Sequence, residues 1–167
     1  MRISCTPDRY LQQSLSEAYG EFPIVDVRAI GRDYTTHFMM VQAPGAGFAK
    51  GMKMVLRTIA RINVKTGKAE YHTGQNEVIF QEPIFIPCAP DAPEADGYLA
   101  FVITHIDEQQ LSKLWLVDTA RFSQPPVAKV KLPVRLRPGL HGAWYDRSVI
   151  EAQCAISTAR QQRQAGG

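Results

Sequence analysis

Val55-Leu56-Arg57-Thr58-Ile59-Ala60-Arg61-Ile62-Asn63-Val64-Lys65-Thr66-Gly67-Lys68-Ala69-Glu70-Tyr71-His72 is the stretch that decides the fold class. Residues 55–64 alternate apolar and polar side chains in the manner of a half-buried strand. Lys65-Thr66-Gly67-Lys68 is a tight turn, and residues 68–72 read as the returning strand of a hairpin. Outward from there the pattern repeats. Residues 34–41 are β-branched and aromatic and read as a strand before the hairpin. Residues 77–80, 84–86, 98–105, 113–117 and 127–132 follow as short strands, with Asp107-Glu108-Gln109-Gln110 as one of the connections. Short strands with turns at nearly even spacing mean an all-β sandwich, barrel or propeller.

Three segments depart from that pattern. Residues 1–19 have mixed polarity and fit either a ragged strand or a short helix. Gly20-Glu21-Phe22-Pro23 reads as a loop, because Pro23 biases Phe22 away from the helical region. Residues 149–164 place Val149, Ile150, Ala152, Cys154, Ala155, Ile156 and Ala159 among Glu, Gln and Arg at near-helical spacing, and predict a C-terminal helix that frays at Gly166-Gly167. About two propeller blades would fit the span, whereas a closed ring needs at least about four.

Composition narrows the function classes. The chain has 167 residues, 45% hydrophobic and 21% charged, which is ordinary for a globular domain or a piece of one. A net charge of +3, with no basic run interleaved with aromatics, argues against nucleic acid as a partner. Cys5, Cys88 and Cys154 form no Cys-x-x-Cys pair, which speaks against a zinc site or a disulfide framework and fits a reducing compartment. No apolar run reaches the length of a membrane span, and the first residues lack a signal-peptide core, so the expected location is cytoplasmic. Gly45-x-Gly47 with Lys50-Gly51 meets neither the P-loop nor the dinucleotide spacing and reads as a solvent loop.

Four histidines invite the question of a metal. His37, His72 and His105 sit in or at the ends of strands, where a hydrogen-bonded structural histidine is the ordinary reading. His141 differs. It lies in Gly139-Leu140-His141-Gly142, where flanking glycines let the backbone turn and approach closely, as a ligand carried into a site requires. Neutral imidazole suits iron among other metals.

Three blocks, taken in order, resemble the carotenoid-cleavage oxygenases, a family that includes the lignostilbene-cleaving enzymes. The first is Gly20-Glu21-Phe22-Pro23-Ile24-Val25-Asp26 with Gly31-Arg32-Asp33-Tyr34. The second is Glu82-Pro83-Ile84-Phe85-Ile86-Pro87 with Asp96-Gly97-Tyr98-Leu99. The third runs from Leu114-Trp115-Leu116-Val117-Asp118 through Pro126-Val127-Ala128 and Leu132-Pro133 to Gly139-Leu140-His141-Gly142. The resemblance implies the C-terminal blades of a seven-bladed β-propeller, incomplete in this chain, over residues 1–146, with a polar helical tail at 147–167. It implies Fe(II) held by four histidines, of which His141 matches the last. Glu82 and Glu21 match two of the glutamates that accept hydrogen bonds from ligand imidazoles, fixing the ring and strengthening the metal-bound nitrogen as a donor.

The other three ligand positions belong upstream, and His37, His72 and His105 fall where the family places none. Cys88 stands where many members have a basic residue. The implied reaction is cleavage of a conjugated C=C bond of an apocarotenoid or stilbene by O2, with this chain inactive alone, since one histidine cannot hold iron. The alternative is a non-catalytic β-domain remnant that binds a partner or a hydrophobic ligand. The missing blades imply association with the absent N-terminal part or self-association, through Phe38, Met40, Phe85, Ile86, Phe101 and Trp115 on uncovered faces.

Overall fold

The computed structural model describes residues 2–6, 9–13, 20–42, 56–74, 78–107, 109–137, 139 and 141–165. The glycine-rich segment 44–51, Glu77 and Gly166-Gly167 lie outside the described residues. Among the described residues the chain is strand-built, with one helix at its C-terminal end. Strands β1 (Arg2–Thr6) and β2 (Arg9–Gln13) form an antiparallel pair, which decides for strand over helix in the described residues of the first segment.

A four-stranded antiparallel sheet follows, in the order β3 (Gly20–Ile24), β4 (Thr36–Val41), β5 (Thr58–Asn63), β6 (Ala69–Thr73). The hairpin that opens the sequence reading is β5–β6, with Thr58 opposite Thr73 and Ile62 opposite Ala69. Its turn is closed by Asn63, whose Oδ1 accepts from the Lys65 and Thr66 amides at 3.0 Å each, while Gly67 takes φ 72°. An Asx-type turn ending in a left-handed glycine is what Asn-Val-Lys-Thr-Gly is suited to make.

Gly20-Glu21-Phe22-Pro23 corrects the loop expectation, because it lies in β3. The strand accommodates its proline with a bulge. Glu21 pairs with Met40 and Ile24 with Phe38, so Phe22 and Pro23 together stand opposite Met39. Phe22 takes φ 55°, and the missing N–H of Pro23 falls where the ladder is already interrupted.

The second sheet has the order β11 (Ala128–Lys131), β10 (Lys113–Asp118), β9 (Gly97–His105), β7 (Val78–Phe80), with β8 (Ile84–Pro87) also on β9. β7 and β8 lie along the same edge of the nine-residue β9 and are separated by a bulge. Phe80 is opposite Ile103 and Ile84 opposite Ala100, so Gln81, Glu82 and Pro83 face only Phe101 and Val102. The Gln81 amide still donates to the Val102 carbonyl at 2.9 Å. The surplus residue is therefore taken up at Glu82 and Pro83.

The two sheets pack face to face. Alternation along β4 turns Phe38 and Met40 into one cluster with Ile59, Val78, Phe80, Phe85, Leu99, Phe101, Ile103, Val117 and Phe122. Phe38, Met40, Phe85 and Phe101, expected on uncovered faces, are instead buried in this shared core, and Ile86 and Trp115 are partly buried. The reason is that the two sheets cover each other's inner faces. Two polar clasps reinforce the contact. Buried Asp26 accepts from the Arg28 and Ala95 amides, and the Arg28 guanidinium donates to the carbonyls of Ala89, Pro90, Ala92 and Pro93. Glu94 accepts from the Thr35 and Thr36 amides at 2.8 Å each.

Residues 133–146 form no strand among those described, and they run exposed along the β9–β10 sheet. Helix α1 (Arg147–Ala165) follows. It begins after Asp146, whose carbonyl accepts from the Val149 amide, and its described side chains from 147 to 157 are all exposed.

Candidate metal centre

A bulge re-aims a side chain that the strand would otherwise point elsewhere. At the β7–β8 bulge that side chain is Glu82, which is only 16% exposed. Its Oε2 accepts from the Gly142 amide at 3.0 Å and lies 3.2 Å from His141 Nδ1. A carboxylate can only accept, so Nδ1–H is the donor in this pair and Nε2 is the ring nitrogen left free for coordination. The imidazole is 76% exposed, so Nε2 belongs to a ring presented outward from the strap. Phe22 packs against it edge-on, with ring centroids 6.1 Å apart at 77°, and so links the β3 bulge to the same point. Gly142 permits the approach, since a Cβ there would press on the Ile84 side chain at 3.0 Å.

Glu21 stands beside the β3 bulge as Glu82 stands in the β7–β8 bulge, each followed within two residues by a proline. Their surroundings differ. Glu21 is exposed, and among the described residues no hydrogen bond joins it to His141. An apolar cavity of about 320 Å³ opens between the strap and the sheet, lined by Ile84, Ala100, Val102, Leu114 and Trp144 with Glu82 and His141 at its edge.

The other histidines lie apart from this point. His37 is half-buried on β4, on the face opposite Phe38. His72 is buried among Phe80, Phe101 and Phe122, with Nδ1 3.0 Å from the Phe122 carbonyl. His105 ends β9. Among the described residues no three His, Cys, Asp or Glu side chains converge on a point where a metal could sit. The donor set therefore fits one ligand of a metal centre, an imidazole backed by a carboxylate, and does not fit a whole centre.

Residues 1–146 match the model of the retinal pigment epithelial membrane protein family. The chain is 36% identical over 145 residues to isoeugenol monooxygenase of Pseudomonas putida, covering 84% of this chain and 30% of that protein. This chain belongs to the carotenoid cleavage oxygenase family. Within the family it is also 34% identical to lignostilbene-alpha,beta-dioxygenase isozyme III of Sphingomonas paucimobilis, over 83% of this chain and 29% of that protein. Among solved structures of the family, the lignostilbene dioxygenase of Pseudomonas brassicacearum superposes with a TM-score of 0.74 at 33% identity, over 84% of this chain and 30% of that one. An apocarotenoid oxygenase of Synechocystis superposes at 0.76 with 25% identity, over 86% and 29%. The chain thus spans about 30% of the length of these relatives, and its sheets match part of a carotenoid oxygenase propeller.

Sequence reasoning missed Phe22 as a ring neighbour of His141, and Gln81, whose side chain takes hold of Gly139. Neither carries a local signal, because both contacts join residues far apart in the chain. Among the described residues no helix is long and apolar enough to cross a membrane.

Proposed function

We propose that this chain is the portion of a carotenoid- or stilbene-cleaving oxygenase that supplies one imidazole, His141, to a non-haem Fe(II) centre, with Glu82 setting that imidazole. The observation that carries the reading is the Glu82 carboxylate shared between His141 Nδ1 and the Gly142 amide. The two bonds fix both the ring and the backbone that bears it. Iron, when bound, supplies the activation of O2 needed to cleave a conjugated C=C bond. The chain's own part is to orient Nε2 toward the metal position and offer an apolar wall beside it in the Ile84, Leu114 and Trp144 cavity, which suits a stilbene or apocarotenoid. Glu21 is assigned the same backing role toward an imidazole that this chain does not contain. Residues 1–146 are the propeller part and 147–167 an appended tail.

The test combines the purified chain with the complementary N-terminal part of a family member such as the lignostilbene enzyme. Iron content and O2-dependent cleavage of a hydroxylated stilbene are then measured. The expected result is iron and turnover only in the combination, with His141→Ala abolishing both and the chain alone holding iron at well below one equivalent. Stoichiometric iron and turnover in the chain alone would refute the reading of a shared centre. A combination that assembles but holds no iron would instead favour the non-catalytic remnant.

A further inference from the structure

The strap that carries His141 has no strand partner among the described residues, yet its backbone groups are taken up one after another by side chains. Thr104 on β9 is 1% exposed and Ser112, just before β10, is 0% exposed. The Leu136 amide donates to Ser112 Oγ at 3.0 Å, Ser112 Oγ lies 3.5 Å from Thr104 Oγ1, and Thr104 Oγ1 donates to the Leu136 carbonyl at 3.4 Å. The protons can be assigned in only one consistent way. Thr104 has a single O–H, given to the Leu136 carbonyl, so Ser112 donates to Thr104, and the three groups close a ring around Leu136.

Gln81 extends the ring toward His141. Its Nε2 donates to Thr104 Oγ1 at 3.1 Å and to the Arg137 carbonyl at 3.4 Å, and its Oε1 accepts from the Gly139 amide at 3.3 Å. The primary amide thus treats the strap as a neighbouring strand, pairing with one carbonyl and one N–H. The next residue, Glu82, takes Gly142 and His141. Among its described residues the strap is therefore held at Leu136, Arg137, Gly139, His141 and Gly142 by Ser112, Thr104, Gln81 and Glu82. Polar groups buried in this manner stiffen a structure when all are satisfied.

We propose that Gln81, Thr104 and Ser112 are positioning residues for His141, holding the 136–139 backbone so that the imidazole meets Glu82 with its proton on Nδ1. This deepens the reading of His141 as a ligand and rests on it. A bulge that merely broke β7 from β8 would need no amide at position 81. The presence there of a group with both a donor and an acceptor aimed at the strap is what the positioning role requires.

The test uses the full 167-residue chain, isotopically labelled. Long-range proton–nitrogen correlation reads which ring nitrogen of His141 carries the proton, and amide exchange reads the strap. In the unaltered chain the Nδ1–H form predominates. Gln81→Leu is expected to lower its share by about threefold or more and to speed exchange of Gly139 and Gly142 by about tenfold, with β9 and β10 amides unchanged. Thr104→Val has the same effect and Thr104→Ser, which keeps the hydroxyl, restores the original spectrum. Should Thr104→Val not fold, the Gln81→Leu and Thr104→Ser arms decide alone. Faster exchange in Gln81→Leu with an unchanged His141 tautomer would overturn the proposal, leaving the network merely structural, as would no change at all. Glu82→Ala separates the two levels: if it leaves the His141 tautomer as it was, the pairing of His141 with Glu82 fails, whatever Gln81→Leu shows.

Discussion

Phe38, Phe80, Phe101 and Phe122 are each 3% exposed or less between the two sheets, whereas every described residue from 133 to 146 is exposed. The core is held by apolar area, which is non-directional and tolerant of small shifts. The strap is held by hydrogen bonds from Gln81, Glu82, Thr104 and Ser112, which are directional and individually small in net free energy, about 1 kcal/mol each. A residue that must present one ring nitrogen in one direction is better served by the second arrangement. The two regions should consequently respond to different perturbations, the core in its unfolding midpoint and the strap in local exchange.

The largest effect is expected in the core. Phe101→Ala removes a ring packed on Phe80 at 4.7 Å and on Trp115 at 6.2 Å between centroids. The loss should be about 3–5 kcal/mol in denaturant unfolding, the usual range for a buried phenylalanine. A loss below about 1 kcal/mol would mean that the two sheets do not share one core. Next comes the Asp26 clasp, whose carboxylate ties the chain after β3 to the chain before β9. Asp26→Ala is expected to cost about 2 kcal/mol, since it leaves the buried Ala95 amide without its acceptor.

Acid should act on the same clasps. Burial alone would push the Asp26 carboxyl up, but hydrogen bonds from Arg28 and Ala95 outweigh it and hold the carboxyl below the usual range. Its contribution is therefore complete above the unfolded carboxylate value and is lost as pH falls through the lower folded one. His72 acts at milder pH. Burial among three phenylalanines pushes its imidazole down, the Phe122 carbonyl opposes that shift, and Lys129 adds to it. The unfolded chain then binds more protons than the folded one below about pH 6.5, so stability declines as pH falls from 7 toward 5. His72→Gln, which keeps a donor for Phe122, should flatten that slope in urea titrations run at the two pH values. An unchanged slope would show that His72 does not report on the core.

The strands were legible because their side chains alternate locally, as in β4 with Phe38 and Met40 inward. The β3 strand was not, because Gly20 and Pro23 each carry a breaker signal that a bulge satisfies without ending the strand. The His141–Glu82 pair was reachable only through the family resemblance, the two residues being 59 apart in the chain. The Arg28 hub and the Gln81 grip on the strap had no signal at all, since an arginine or glutamine of ordinary appearance reveals its partners only when distant loops meet. The expectation of bare apolar faces failed for a related reason. Alternation tells which side of a strand is apolar but not what covers it, and here the two sheets cover each other.

The smallest effect is expected from removing α1. Its 19 residues follow the segment matched to the family, and the described side chains through 157 are exposed, with Val149, Ile150 and Ile156 each about half open to solvent. Asp146 sits at the capping position, but its carboxylate accepts from the Trp144 indole at 3.3 Å instead of from a helix amide. A helix of this length with no packed face among its described side chains is marginal in water, because helical stability in proteins comes chiefly from tertiary burial. Ending the chain after Asp146 should therefore lower the helical signal in circular dichroism while moving the thermal midpoint by no more than about 2 °C, since about 1 kcal/mol corresponds to several degrees in a domain of this size. A fall of more than about 5 °C would mean that α1 packs on the body, and would move the tail from appendage to part of the fold. The same truncation leaves the Glu82–His141–Gly142 contacts in place, so an altered His141 spectrum without a change in midpoint would tie the helix to the strap and not to the core.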